Sequence, residues 1–325
     1  MTTLPDYSDI LAASQVIKGQ AVRTPLINSP VLDQQLGGKI FFKAECLQRT
    51  GSFKFRGAFN AMQHVGEAAA KNGIVACSSG NHAQGVAEAA RIVGYDATII
   101  MPSDAPESKK RRTMRSGARI VEYDRHGEDR EELTRQYSQK TGSPIIHPYE
   151  NFHVIAGQGT SGLEFCQDLE KHNLTPDHVL VCAGGGGLMA GITLAVKHHF
   201  PHAFIHPVEP EGYDDQTRSH AAGKRLSGNL NQPSVCDAIL TPMPGEASFA
   251  ICRNKLAPGL LVSEEDALRA VAFAFHELKL VVEPGGAVTL AALLAGKLDV
   301  GGKTIVATLS GGNIDEPVMH RALAL

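Results

Sequence analysis

No run of apolar residues in this 325-residue sequence is long enough to span a bilayer, and its first residues carry neither the basic stretch nor the apolar core of a secretion signal. Strong charge of one sign is also missing. The 31 basic and 34 acidic residues leave a formal −3, which gives no electrostatic footprint for nucleic acid or an anionic membrane surface. The six cysteines (Cys46, Cys77, Cys166, Cys182, Cys236 and Cys252) include no close pair and no metal-ligand spacing. Cys77 and Cys182 sit in apolar runs and read as buried thiols of a reducing compartment. Internal repeats and Gly/Ser-rich linkers are absent as well. A cytoplasmic protein with no nucleic-acid and no membrane partner is expected. The one basic cluster, Lys109-Lys110-Arg111-Arg112, reads as a solvated helix face.

What is present is an apolar fraction of 43%, ample for a packed interior, in a chain long enough for two domains or one large α/β domain. Short β-branched runs at 39–43, 74–77, 97–101, 119–122, 178–183, 204–208 and 303–309 read as strands. They alternate with helical patterns near 85–93, 129–140, 157–171, 188–199 and 264–278, the last opened by Ser263 with Asp266 as a capping signal. Such alternation argues for mostly parallel sheets covered on both faces. The runs divide the chain into a small domain, 73–150, and a large one made of 1–72 and 151–325.

Open parallel sheets bind ligands beyond the C-terminal ends of their strands, and four strand ends here carry unusual loops. Gly184-Gly185-Gly186-Gly187 lies between an apolar strand and a helix start, where successive backbone N–H groups and the helix N-terminus suit a phosphate. A tight turn is the alternative. No Gly-Lys-Ser/Thr follows, and the dinucleotide-binding glycine spacing does not fit. Ser78-Ser79-Gly80-Asn81-His82 offers two hydroxyls, a carboxamide and a helix start, suited to a substrate carboxylate. Ser310-Gly311-Gly312-Asn313 places a hydroxyl where it could meet a ring nitrogen. Each of these two could also be an N-cap with a turn glycine. Glu209 to Asp215 is the fourth loop.

Ser52-Phe53-Lys54-Phe55-Arg56-Gly57-Ala58 sets one lysine between two phenylalanines. Apolar neighbours disfavour an ammonium, and a lysine that spends time as free amine can form a Schiff base with an aldehyde. Alone, the motif reads first as an edge-strand lysine flanked by core aromatics.

Together these motifs resemble those of fold-type II pyridoxal phosphate enzymes, and within them the serine/threonine dehydratase and serine racemase family. Met101-Pro102, Ala105-Pro106, Ile155 to Thr160 and Val282 to Ala287 add matching stretches, so the resemblance covers nearly the whole chain in order. It implies a tryptophan synthase β-like fold: two open, twisted, mostly parallel sheets with helices on both faces and the cofactor, pyridoxal 5'-phosphate, in the cleft between the domains. Lys54 would hold the cofactor and act as catalytic base, with Phe53 packing on its ring. Asn81 would bond the phenolic oxygen, Gly184 to Gly187 with the Met189 backbone would bind the phosphate, and Ser310 would face the ring nitrogen. Ser78, Ser79, Gly80, Asn81 and His82 would bind the substrate, and Ser79 would stand as a second catalytic group on the opposite face.

The resemblance also implies a divalent cation (Mg²⁺, with Mn²⁺ or Ca²⁺ as alternatives) on the Glu209 and Asp215 carboxylates and the Tyr213 carbonyl; an acidic surface turn is the other reading. The implied activity is dehydration of threonine, serine or 3-hydroxyaspartate to a 2-keto acid and ammonia. Tyr149 after His147-Pro148, and Asp237-Ala238, depart from the racemase pattern and point to a reshaped substrate pocket. Arg130 could reach a distal carboxylate, or be an ordinary surface arginine. The alternatives are an amino-acid racemase with dehydratase side activity and a catalytically silent amino-acid-binding regulator. A homodimer is the family's usual state.

Overall fold

The computed structural model describes residues 3–125, 127–228 and 233–325. The chain begins with α1 (Tyr7–Val16), β1 (Leu26–Asn28), α2 (Pro30–Leu36), β2 (Lys39–Ala44), α3 (Lys54–Met62) and α4 (Gly66–Asn72). β3 (Ile74–Cys77), α5 (Asn81–Val93), β4 (Ala97–Pro102), α6 (Glu107–Arg115), β5 (Arg119–Tyr123) and α7 (Arg130–Thr141) follow. The chain then runs through α8 (Phe152–Lys171), β6 (His178–Cys182), α9 (Gly187–His199), β7 (Phe204–Pro210), α10 (Asp215–Ala222) and α11 (Glu246–Cys252). It ends with β8 (Leu260–Val262), α12 (Glu264–Phe273), α13 (Pro284–Leu294), β9 (Thr304–Leu309) and α14 (Glu316–Leu323).

The expected α/β architecture is present. One sheet runs β1-β2-β9-β6-β7-β8, parallel except for the β1 edge; the other runs β3-β4-β5, all parallel. Every residue of β4 is buried, and so are all of β6 after its first residue, because helices cover both faces of each sheet. Ser263 and Asp266 form the expected capping box on α12, whose final turn widens over Ala274–Leu278.

Helix α3 is the element on which the site depends. It crosses α8 so closely that a Cβ on Gly157 would fall 2.7 Å from Gly57 Cα, so glycine is required at this crossing. Behind the crossing lies a charge cluster in which Arg56, Glu45 and Lys43 are fully buried and Glu164 partly so. Arg56 donates from Nε and Nη2 to Glu45, each at 2.8 Å, and from Nη1 and Nη2 to Glu164 at 2.7 and 2.8 Å. Lys43 Nζ donates to Glu164 and to the Thr24 carbonyl, both at 2.6 Å. Burial opposes the Arg56 charge, but the two carboxylates outweigh it and raise its pKa further; Arg56 in turn outweighs burial at Glu45 and holds that carboxyl below its ordinary value.

One expectation is corrected. The basic run on α6 is not wholly solvated: Lys109 is 8% exposed and ion-paired with Asp237, with Asp315 at 3.6 Å. Its side chain faces the interior because Thr113, one turn on, is buried too.

Candidate active site

Lys54 is not on an edge strand. Ser52 bridges Gly311, the Phe53 N–H donates to the Ser310 carbonyl at 3.1 Å, and Lys54 then opens α3. This clamp brings the lysine motif beside the loop that follows β9. The Ser78 to His82 loop leaves β3 and opens α5, and the glycine loop leaves β6 and opens α9. All three loops emerge at strand C-terminal ends and face one another.

A cavity of about 180 Å³ lies between them. Phe53, Lys54, Ser78, Ser79, Gly80, Asn81, His82, Arg130, Gly184 to Gly187 and Ser310 all line it. Met189 does not; it is buried in the first turn of α9. Glu209, Tyr213 and Asp215 are also outside the cavity, at the end of β7 and the start of α10. Cys182 is buried as expected, whereas Cys77 is half-buried at the cavity wall.

Lys54 Nζ donates to the Pro148 carbonyl at 3.1 Å and lies 5.1 Å from the centre of the Phe53 ring. No carboxylate pairs with it among the described residues, and burial brings its pKa down to about 8. An amine with that pKa is partly free base near neutrality. His82 bonds the Ile146 carbonyl through Nε2 at 2.8 Å, and burial first, then Lys54, lowers its pKa to about 3. It is a neutral ring that anchors α5.

Four further residues shape the cavity: Glu283 and Lys109, which carried no site signal in the sequence, Asn313 from the Ser310 loop, and Tyr149, which the sequence marked as a departure from the racemase pattern. Glu283, 5% exposed, accepts from Asn81 Nδ2 at 2.5 Å, and Asn313 Nδ2 donates to Asn81 Oδ1 at 2.7 Å. Burial raises the Glu283 pKa to about 7, with Asp237 adding to the rise and the Asn81 N–H and Lys109 opposing it. Two neighbours thus set which way the Asn81 amide points. The Tyr149 ring lies flat on the glycine loop: a Cβ on Gly185 would sit 2.3 Å from it. Glycine is needed at Gly186 for another reason, a φ of +91°. Lys109 completes the wall with its partner Asp237. Glu283 stood in a matching stretch but signalled no role, because a lone glutamate carries no spacing pattern.

Among the described residues no three His, Cys, Asp or Glu side chains cluster as a metal site. The Glu209 carboxylate accepts from the Gln216 N–H at 2.8 Å and from the N–H and hydroxyl of Thr217 at 2.8 and 2.6 Å. Burial raises the Glu209 pKa to about 8 and the Asp215 pKa to about 7, and the buried Asp215 Oδ2 has no hydrogen-bond partner.

A lysine with a depressed pKa, a glycine loop at a helix N-terminus and a serine at a strand end, gathered in one cleft between two parallel-stranded sheets, define a fold-type II pyridoxal phosphate enzyme. The comparisons agree: residues 17–311 match the family of pyridoxal-phosphate dependent enzymes, and the chain belongs to it. Its cofactor is therefore pyridoxal phosphate. It is 40% identical over 316 residues to an L-threo-3-hydroxyaspartate ammonia-lyase from Pseudomonas, with 96% of each chain covered. It is 39% identical over 313 residues to a serine racemase from Schizosaccharomyces pombe, covering 96% of this chain and 95% of that one. The solved structure of a threonine deaminase from T.th. superposes with a TM-score of 0.89 at 42% identity, covering 96% of this chain and 99% of that chain. Among the described residues no helix is long and apolar enough to cross a membrane.

Proposed function

We propose that this enzyme is a dehydratase of β-hydroxy amino acids (threonine, serine or 3-hydroxyaspartate) that yields a 2-keto acid and ammonia by α,β-elimination. The observation that carries the reading is Lys54: an amine with a pKa near 8, without a carboxylate partner, on the cavity wall between the serine loop and the glycine loop. Bound pyridoxal phosphate supplies an aldehyde carbon for amines and an electron-withdrawing ring that acidifies Cα. Lys54 would hold the cofactor through its amine and, as the free base, would take the Cα proton of the substrate.

The residues around it fit the cofactor. Backbone N–H groups of Gly184 to Gly187, which line the cavity, would receive the phosphate, with the Met189 backbone behind them in the first turn of α9. Asn81 keeps one N–H beyond the one given to Glu283, and this donates to the phenolic oxygen. Phe53 and Ser310 line the cavity and would pack on the ring and meet its nitrogen; a serine would not hold that nitrogen protonated, which suits loss of a β-leaving group. The substrate carboxylate docks on Ser78, Ser79, Gly80, Asn81 and His82 at the start of α5, and Ser79 faces the far side of the cofactor.

Glu209, Asp215 and the Tyr213 carbonyl would hold a divalent cation. Two neighbouring buried carboxylates with raised pKa values, one with an unpartnered oxygen, fit an oxygen-ligated ion such as Mg²⁺. The 73–150 and 1–72 with 151–325 segments act as small and large domains around the cleft. Six free thiols suit a reducing cytoplasm, and a homodimer, read from the family, is checked by sedimentation.

Arg130 lines the cavity and could meet a second substrate carboxylate there, in exchange for its exposed partner Glu131 at 3.6 Å. Keto-acid and ammonia assays on both enantiomers of serine, the threonine isomers and the 3-hydroxyaspartate stereoisomers test the reading; no ammonia from any of them defeats it. Arg130→Ala is expected to impair hydroxyaspartate about tenfold or more while sparing serine. A racemase is the second reading, favoured by Ser79 on the cavity wall. Chiral analysis of recovered serine decides it.

A further inference from the structure

The glycine loop is held from outside by two side chains that do not line the cavity. The Gly184 carbonyl accepts from Gln216 Nε2 at 2.6 Å. The Gly185 carbonyl accepts from Ser248 Oγ at 2.8 Å and from the Gly245 N–H at 3.0 Å. In a trans peptide the carbonyl and the following N–H point in opposite directions. Tying the carbonyls of Gly184 and Gly185 to outside partners therefore turns the N–H groups of Gly185 and Gly186 the other way. Both glycines are buried and line the cavity, and no acceptor among the described residues takes these N–H groups.

Four successive glycines have little conformational preference of their own, so the loop's shape has to come from its surroundings. Gln216 and Ser248 supply it. Each is fully buried, and both crowd the same spot: a Cβ on Gly186 would meet Ser248 Oγ at 2.6 Å and Gln216 Nε2 at 2.9 Å. Gln216 is fixed at its own backbone, whose N–H is held by Glu209 at 2.8 Å. Ser248 sits in α11, whose first N–H groups are capped by Glu150.

We propose that Gln216 and Ser248 are positioning residues that hold the glycine loop with its N–H groups presented to an anion, and so set the enzyme's affinity for the phosphate of its cofactor. The inference rests on the reading of that loop as the phosphate site. It predicts a loss confined to the phosphate. Stripped of cofactor, the wild type, Gln216→Met and Ser248→Ala are titrated with pyridoxal phosphate and with pyridoxal, which lacks the phosphate. Each variant is expected to bind pyridoxal phosphate about five- to tenfold more weakly, the loss of one buried hydrogen bond, with pyridoxal unchanged. Equal weakening toward both compounds, or no weakening toward either, overturns the inference while leaving the phosphate site standing. A wild type that binds pyridoxal as tightly as pyridoxal phosphate overturns the phosphate site and the inference with it. Ser248→Ala deletes a single oxygen and carries the test if Gln216→Met does not fold, which circular dichroism reports.

Discussion

Lys54 and Arg56 stand two residues apart at the start of α3, and about 200° of helical turn sends them to opposite sides. Arg56 enters a sealed cluster where Glu45 and Glu164 take its donors and Lys43 shares Glu164. Lys54 enters a cavity where a carbonyl is its hydrogen-bond partner. Both charges pay for burial. On the first side the carboxylates compensate and the guanidinium stays ionised; on the second nothing does and the ammonium sheds its proton readily. Reactivity here comes from leaving out a partner, and the neighbouring cluster shows what including one would have produced.

The largest effect should come from removing the uncompensated group. Lys54→Ala is expected to lower turnover by about 10³-fold or more and to leave the melting temperature nearly unchanged, measured by keto-acid release beside thermal unfolding. A large fall in melting temperature would mean that Lys54 is structural like its neighbour. Arg56→Met should do the opposite, costing about 3–5 kcal/mol of stability in denaturant titrations because Glu45 is left buried without its partner. If Arg56→Met folds as stably as wild type, the contrast fails.

The protonation contrast is sharpened by pH. In cofactor-free protein, trapping of Lys54 by an aldehyde and borohydride should rise about tenfold per pH unit and level off near pH 8. A midpoint near that of an ordinary lysine would mean the site does not depress it. A second pH effect concerns Glu209 and Asp215, whose folded pKa values, about 8 and about 7, lie above the ordinary 4.5 and 3.8. Between those limits the folded protein binds more protons than the unfolded one. Stability in chelator should therefore fall as pH rises from about 5 to about 8, and Mg²⁺ should restore more of it at pH 8 than at pH 5. Melting curves at the two pH values check this.

The strands of both sheets were legible wherever burial on two faces produced an unbroken β-branched run, as at β3, β6 and β9. β1 and β8 escaped because three residues carry no period. Helix α13 escaped for a different reason: it is buried almost all round, so no apolar stripe marks it. Helix α3 has Phe53 at its N-cap and no side-chain capping bond, which hid its beginning and left Lys54 readable as a strand residue. In the cleft, glycines and hydroxyls clustered at strand ends announced themselves. Glu283, Gln216 and Ser248 did not, since each acts alone and finds its partner through the fold. Lys109 was misread because charge run and solvation usually coincide, and here Asp237 breaks the link.

The segment returning from the small sheet to the large one, 147–151, has no slack. Within five residues the Pro148 carbonyl receives Lys54, Tyr149 lies on Gly185, Glu150 caps α11 and Asn151 caps α8. Mechanically it is a taut strap over both halves of the cleft. A rotation of the three-stranded sheet would pull at once on the lysine's acceptor and on the glycine loop, so that opening the cleft would also loosen the seat of the cofactor.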